Sequence, residues 1–141
     1  MMFRCALIAA ALLLLAQPAA AAAEKAGPAQ VGQYVDLLPV SVPIVVRGKL
    51  VNYVFVYVRL NLAASADAAR LRQKEPFFRD ALVRLSHRTP FTNPADYNRV
   101  DEGRIAAGLI REAAGIVGPG AVRSVVVTSQ TPQHRIATPK T

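Results

Sequence analysis

The sequence predicts a small α+β domain in which a sheet of about three strands, containing an antiparallel hairpin, is covered on one face by two or three helices. Three observations lead there. The segment Leu50 to Leu62, LVNYVFVYVRLNL, alternates as a strand does. Two segments after it switch to helical spacing. A short valine-rich strand closes the chain, so the order is β-β-α-α-β.

The alternation in the central strand sorts its side chains onto two faces. Even positions Leu50, Val54, Val56, Val58, Leu60 and Leu62 are aliphatic, with only Asn52 interrupting. Odd positions carry Tyr53, Phe55 and Tyr57, then Arg59 and Asn61. A strand apolar on both faces must be covered twice, and helices on one side supply only one cover. The aromatic row is therefore the first candidate for an intermolecular surface. The alternative is a second core layer under the tail or a linker.

The preceding segment, Tyr34 to Val46, places Leu38, Val40, Val42, Ile44 and Val46 on one face and Pro39 and Pro43 on the other. Each proline removes a ladder donor, so this strand belongs at an edge. Arg47-Gly48-Lys49 fits a three-residue hairpin loop into the central strand.

From Ala63 to Thr89, Leu71, Phe78, Leu82 and Leu85 form one helical stripe. Ser65 is expected to cap the first turn, with Asp67 adding negative charge near the positive end of the dipole. Pro76 predicts a short helix to about Lys74 and a fresh start with the proline in a first turn. Glu75–Arg79 and Asp80–Arg84 stand in the favourable four-residue order. Pro90, Asn93 and Pro94 define a loop to about Asn98. Asp101 then caps a second helix with the stripe Ile105, Leu109, Ala113 and Ile116, stopped by Gly118-Pro119-Gly120. Val122 to Ser129 is the last strand, its three consecutive valines suggesting burial on both faces. Residues 131–141 are expected to be a disordered basic tail.

At 141 residues and 52% hydrophobic content, the chain has enough material for one core. Residues 1–23 have a short basic start, an apolar run, a Gln17-Pro18 break and an alanine-rich end, the pattern of a secretory signal peptide cleaved after Ala23. An uncleaved membrane anchor is the competing reading. The alanine-rich final third after a proline is weak material for a spanning helix and favours cleavage. Cys5 would leave with the leader, so the exported chain would have no disulfide and no thiol nucleophile. Residues 24–33 read as a flexible lead-in, and 34–130 as the folded domain.

The chain carries 17 Lys and Arg against 9 Asp and Glu, a formal charge of +8. In an exported protein, anionic lipid, cell-wall polymer or an acidic protein partner takes precedence over nucleic acid. Arg70, Arg72, Lys74, Arg79, Arg84 and Arg88 make the first helical region basic. Within that region Arg70, Arg79 and Arg84 join Tyr53, Phe55 and Tyr57 as candidate interface residues.

Residues for catalysis are sparse. His87 ends a helix in a basic context, where a cation suits the carbonyl end of the dipole, and His134 lies in the tail. No local GxSxG serine motif is present, and capping accounts for Asp101 beside Glu102. Gly115, Gly118 and Gly120 follow a helix, whereas a phosphate cradle precedes one. No catalytic, cofactor-binding or metal-binding residue is expected.

Taken together, DLLPVSVPIV, KLVNYVFVYVRLNL, the helical segment containing KEPFFRDALV, DEGRIAAGLIREAAGIVGPGAV and VRSVVVTSQ resemble the flagellar basal-body-associated FliL family. The resemblance covers roughly Gln33 to Gln130. It implies a periplasmic domain similar to the stomatin/prohibitin (SPFH) core, which forms homo-oligomers beside the flagellar stator and modulates the motor without catalysis. The family usually has a cytoplasmic N-terminal piece and a permanent transmembrane helix, whereas only four residues precede the apolar run here. An exported scaffold or binding domain contacting anionic lipid or cell wall, unrelated to the motor, is the alternative expectation.

Overall fold

The computed structural model describes residues 32–137. The leader, nearly all of the lead-in and the last four tail residues lie outside the described residues. The described residues form one compact unit, and its buried apolar cluster is drawn from Val35 through Val125.

The fold is α+β. Four strands, β1 (Tyr34–Asp36), β2 (Val40–Val46), β3 (Lys49–Leu62) and β4 (Val122–Pro132), form one antiparallel sheet with three helices, α1 (Ala68–Gln73), α2 (Glu75–Arg88) and α3 (Glu102–Val117). The segment expected as one first strand is divided. β1 pairs with Asn61 to Arg59, and β2 pairs with β3 from Val56 back to Lys49, so the two lie end to end along the same edge of β3. Leu37 carries the ladder across the gap, donating to the Val58 carbonyl at 2.9 Å. Pro39 has no N–H to continue it, and the Leu38 amide turns away to the Glu75 carboxylate at 2.9 Å. The sheet is thus three strands wide, with β4 on the other edge of β3.

The hairpin is tighter than the expected three residues. Val46 pairs with Lys49, leaving Arg47 and Gly48 as a two-residue turn with φ of 49° and 74°. Two positive φ angles define the turn whose twist matches paired strands, and a glycine at the second position makes it accessible.

Even positions of β3 from Asn52 onward lie under the helices, the register shift beside Val51 taking Leu50 out of the row. Val54, Val56, Val58, Leu60 and Leu62 join Val42 and Ile44 of β2 and Val125 of β4 beneath Leu71, Phe78, Leu82, Ile105 and Leu109. Each such side chain contributes about 1.5–3 kcal/mol when fully buried. α1 lies by β1, α2 by β2 and α3 by β4, with α2 and α3 side by side. Gly108 sets their approach, since a Cβ there would meet Leu85 Cδ1 at 3.2 Å. Pro76 is the second residue of α2, in its first turn after the one-residue break at Lys74. Asp67, not Ser65, caps α1, accepting the Arg70 amide at 3.0 Å. Asp101 caps α3 through the Arg104 amide at 3.0 Å, and Gly118 (φ 93°) and Gly120 (φ 79°) turn the chain after it.

The final segment departs from expectation twice. Val126 is 45% exposed, because it sits opposite Arg59 on the face away from the helices, whereas Val125 and Val127 turn toward them. Order also continues past the expected start of the tail. Thr131 and Pro132 belong to β4, and Gln133 donates to the Tyr53 carbonyl at 2.8 Å. Two asparagine amides then stand in for strand neighbours. Asn52 donates to the His134 carbonyl at 2.7 Å and accepts its N–H at 3.3 Å. Asn98 treats Ile136 in the same way, with both bonds at 2.8 Å. A side-chain amide offers one donor and one acceptor in a plane, as a peptide unit does, so it can hold an extended chain.

Candidate docking face of the sheet

The face of the sheet away from the helices is built by the odd positions of β3 and the residues paired with them. Phe55 lies between Ser41 of β2 and Thr131 of β4, Tyr57 lies beside Ser129, and Tyr53 lies beside Pro43. Directly opposed residues share a face, so these pairs form rows across the sheet. Phe55 and Tyr57 are each 41% exposed and Tyr53 is half-buried. The alternative second core layer is therefore absent over Phe55 and Tyr57 among the described residues, while the tail strand flanks Tyr53 through its carbonyl.

Toward the β1 end the face becomes polar but ordered. Arg59 donates to Asp36 from Nε at 2.7 Å and from Nη2 at 2.9 Å. Its guanidinium also lies 3.9 Å from the centre of the Tyr34 ring. This bidentate fork holds the Asp36 carboxyl below the usual carboxylate range, the hydrogen bonds from Arg59 outweighing the modest desolvation. Asn61 Nδ2 donates to Ser124 Oγ at 2.9 Å. The result is an aromatic strip, Phe55 and Tyr57, ending in a fixed cation shared between a carboxylate and a third ring. Tyr34, Asp36 and Val126 were not legible as members from β3 alone. Carrying the hairpin register back from Val46 through the proline break would have found the first two.

The six candidate interface residues do not make one surface. Tyr53, Phe55 and Tyr57 lie on the open face, whereas Arg70, Arg79 and Arg84 belong to the helical layer that covers the opposite face. Arg79 is paired with Glu75 at 2.8 Å, and Arg84 with Asp80 in the next turn. Much of their charge is thus answered within α2. Arg70 is exposed in α1, and its backbone amide is taken by the N-cap Asp67.

Several other ionisable residues sit in structural positions. His87 is exposed in the last turn of α2. Glu102 pairs with Arg99 at 3.0 Å and accepts from Gln130. Asp96 is pulled below the usual range by hydrogen bonds from the backbone and side chain of Asn98, with Arg99 and Arg135 adding to the effect. Among the described residues no three His, Cys, Asp or Glu side chains group as metal ligands would. One surface depression of about 460 Å³ lies where Tyr34 and Asp36 meet Arg72, and another of about 500 Å³ lies between α1 and the turn before β4. His87 lines neither.

Fold and site define a two-layer α+β domain with helices on one face of its sheet and an ordered aromatic strip on the other. A scan against models of known protein families finds no match to the chain, and a search of curated proteins finds no relative.

Proposed function

We propose that the protein is a non-enzymatic, FliL-like interaction domain that assembles with copies of itself in the periplasm and acts on the flagellar stator or basal body through its open sheet face. The observation that carries this reading is the aromatic strip at Phe55 and Tyr57, uncovered among the described residues, on a strand whose other face is buried from Val54 to Leu62. Large rings left in water lose the stabilisation that burial would give, and flat rings on a rigid sheet offer contact area at little cost in side-chain entropy. The motor assignment draws on the sequence resemblance across residues 33–130. Periplasmic placement draws on the leader pattern in residues 1–23. Association with the membrane would follow if that leader stays attached. Among the described residues no helix is long and apolar enough to cross a membrane.

Two measurements test the two halves of the proposal. The chain starting at Glu24 should self-associate in sedimentation velocity, and Tyr53→Ser with Phe55→Ser should shift it toward monomer while leaving its circular dichroism intact. A parent that stays monomeric at tens of micromolar, with a double variant that unfolds, would return the aromatic row to the core. For the motor, cells lacking the gene should swim or swarm less well, and purified basal bodies should contain the protein. Unimpaired motility together with basal bodies free of the protein overturns the flagellar role.

A further inference from the structure

The β2–β3 hairpin outruns the rest of the sheet. β4 leaves β3 at Val54, and beyond it only Gln133 and His134 follow, bonded to Tyr53 and Asn52. Among the described residues, Lys49 and Leu50 pair with β2 alone and Val51 has no strand partner. At this bare end Leu50 is 52% and Val51 39% exposed, and Arg47 and Lys49 are exposed at the turn itself. Between Asp36 and Asp67 the chain has no acidic residue.

The register shifts by one residue between Ile44 and Val45, so Val51 is an unpaired bulge residue next to Leu50, and the two exposed apolar side chains stand together where the strand kinks. A bilayer interface receives apolar groups from all around, and its phosphates lie where a cationic turn would meet them. The Arg47-Gly48 turn is short and the strands are paired on both sides of the Val51 bulge, so insertion would order little that is not already ordered.

We infer that the β2–β3 hairpin tip is a membrane-contact element that inserts Leu50 and Val51 into an anionic bilayer surface while Arg47 and Lys49 engage lipid phosphates. This places lipid contact at the tip, not on the basic helical region. It is independent of the flagellar reading, since a soluble scaffold could use the same tip.

Co-sedimentation of the chain starting at Glu24 with vesicles tests it, using phosphatidylcholine alone against phosphatidylcholine mixed with phosphatidylglycerol. Binding should require the anionic lipid and weaken as salt is raised. Each cation removed should cost about fivefold in partition, so Arg47→Gln with Lys49→Gln should lose about 25-fold. Leu50→Ser with Val51→Ser should lose about tenfold or more even at low salt. Arg70→Gln with Arg72→Gln on α1 should change partition by less than about twofold. All three variants alter exposed side chains, and unchanged thermal midpoints would show that each is folded. No binding to anionic vesicles at low salt overturns the inference, as does a loss in the α1 variant equal to that in the tip variants.

Discussion

The two faces of β3 start from similar material and meet opposite fates. Val54, Val56 and Val58 are almost wholly buried, while Phe55 and Tyr57, interleaved with them, keep 41% of their surface in contact with solvent. Hydrophobicity does not separate the two sets, since the exposed residues are the larger. What separates them is that α1, α2 and α3 return to one face only, and β4 occupies the edge instead of crossing over the other. A residue's burial here is set by where the connections run, a property of the whole chain and not of the strand.

The sharpest way to test this contrast is to delete one ring on each side. Phe78 is fully buried between α2 and the sheet, so Phe78→Ala should cost about 3–5 kcal/mol in chemical denaturation, from lost transfer energy and the cavity left behind. Phe55→Ala, removing the same ring from the open face, should cost less than about 1 kcal/mol in dilute monomer. Equal losses would mean that the open face is covered in solution.

Much of this architecture was legible because its signals are local. Alternation in residues 50–62 identified β3, and Pro76 located the break between α1 and α2, because missing N–H groups and side-chain direction act within a few residues. Glycines 118 and 120 ended α3 for the same reason. The failures arose where distant segments decide. Nothing near Val126 says that its partner is the outward-facing Arg59. Likewise, Asn52 looked like an interruption in an aliphatic row until its partner proved to be His134, 82 positions away. The position of Arg70, Arg79 and Arg84 relative to the aromatic row was illegible for a related reason. Composition reports that a region is basic, but not that α2 answers Arg79 and Arg84 with its own carboxylates on the far side of the sheet.

Asn52 also marks the end of the contrast, since it is the one polar side chain on the buried face of β3 and it holds the C-terminal segment in place. Asn52→Ala leaves the Tyr53 amide and the His134 peptide without their partners, at a cost of about 1–3 kcal/mol where they stay buried. The loss should be accompanied by release of the segment after Pro132. Limited proteolysis should then cut the variant near Arg135 well before the parent, while the β3–β4 ladder up to Val54 survives. Unchanged cleavage at Arg135 would mean that Asn98 alone suffices to hold the strap.

The smallest effect concerns the open face itself, whose polar end is fixed by the Arg59–Asp36 fork. Asp36 has a depressed pKa in the folded domain, so the fork adds stability above the carboxylate's unfolded pKa of about 3.9 and loses it as pH falls through the lower folded value. Asp36→Asn should therefore lower stability slightly and evenly at neutral pH, with the gap to the parent closing only below about pH 4. Exposure keeps the effect small, because water and salt screen a pair on the surface. The acid limb must be read against Asp96, whose pKa is lowered in the same direction. Measuring the difference between parent and variant at each pH removes that shared contribution. A gap that persists unchanged at pH 3 would mean that Asp36 acts through its shape beside Tyr34 and not through its charge.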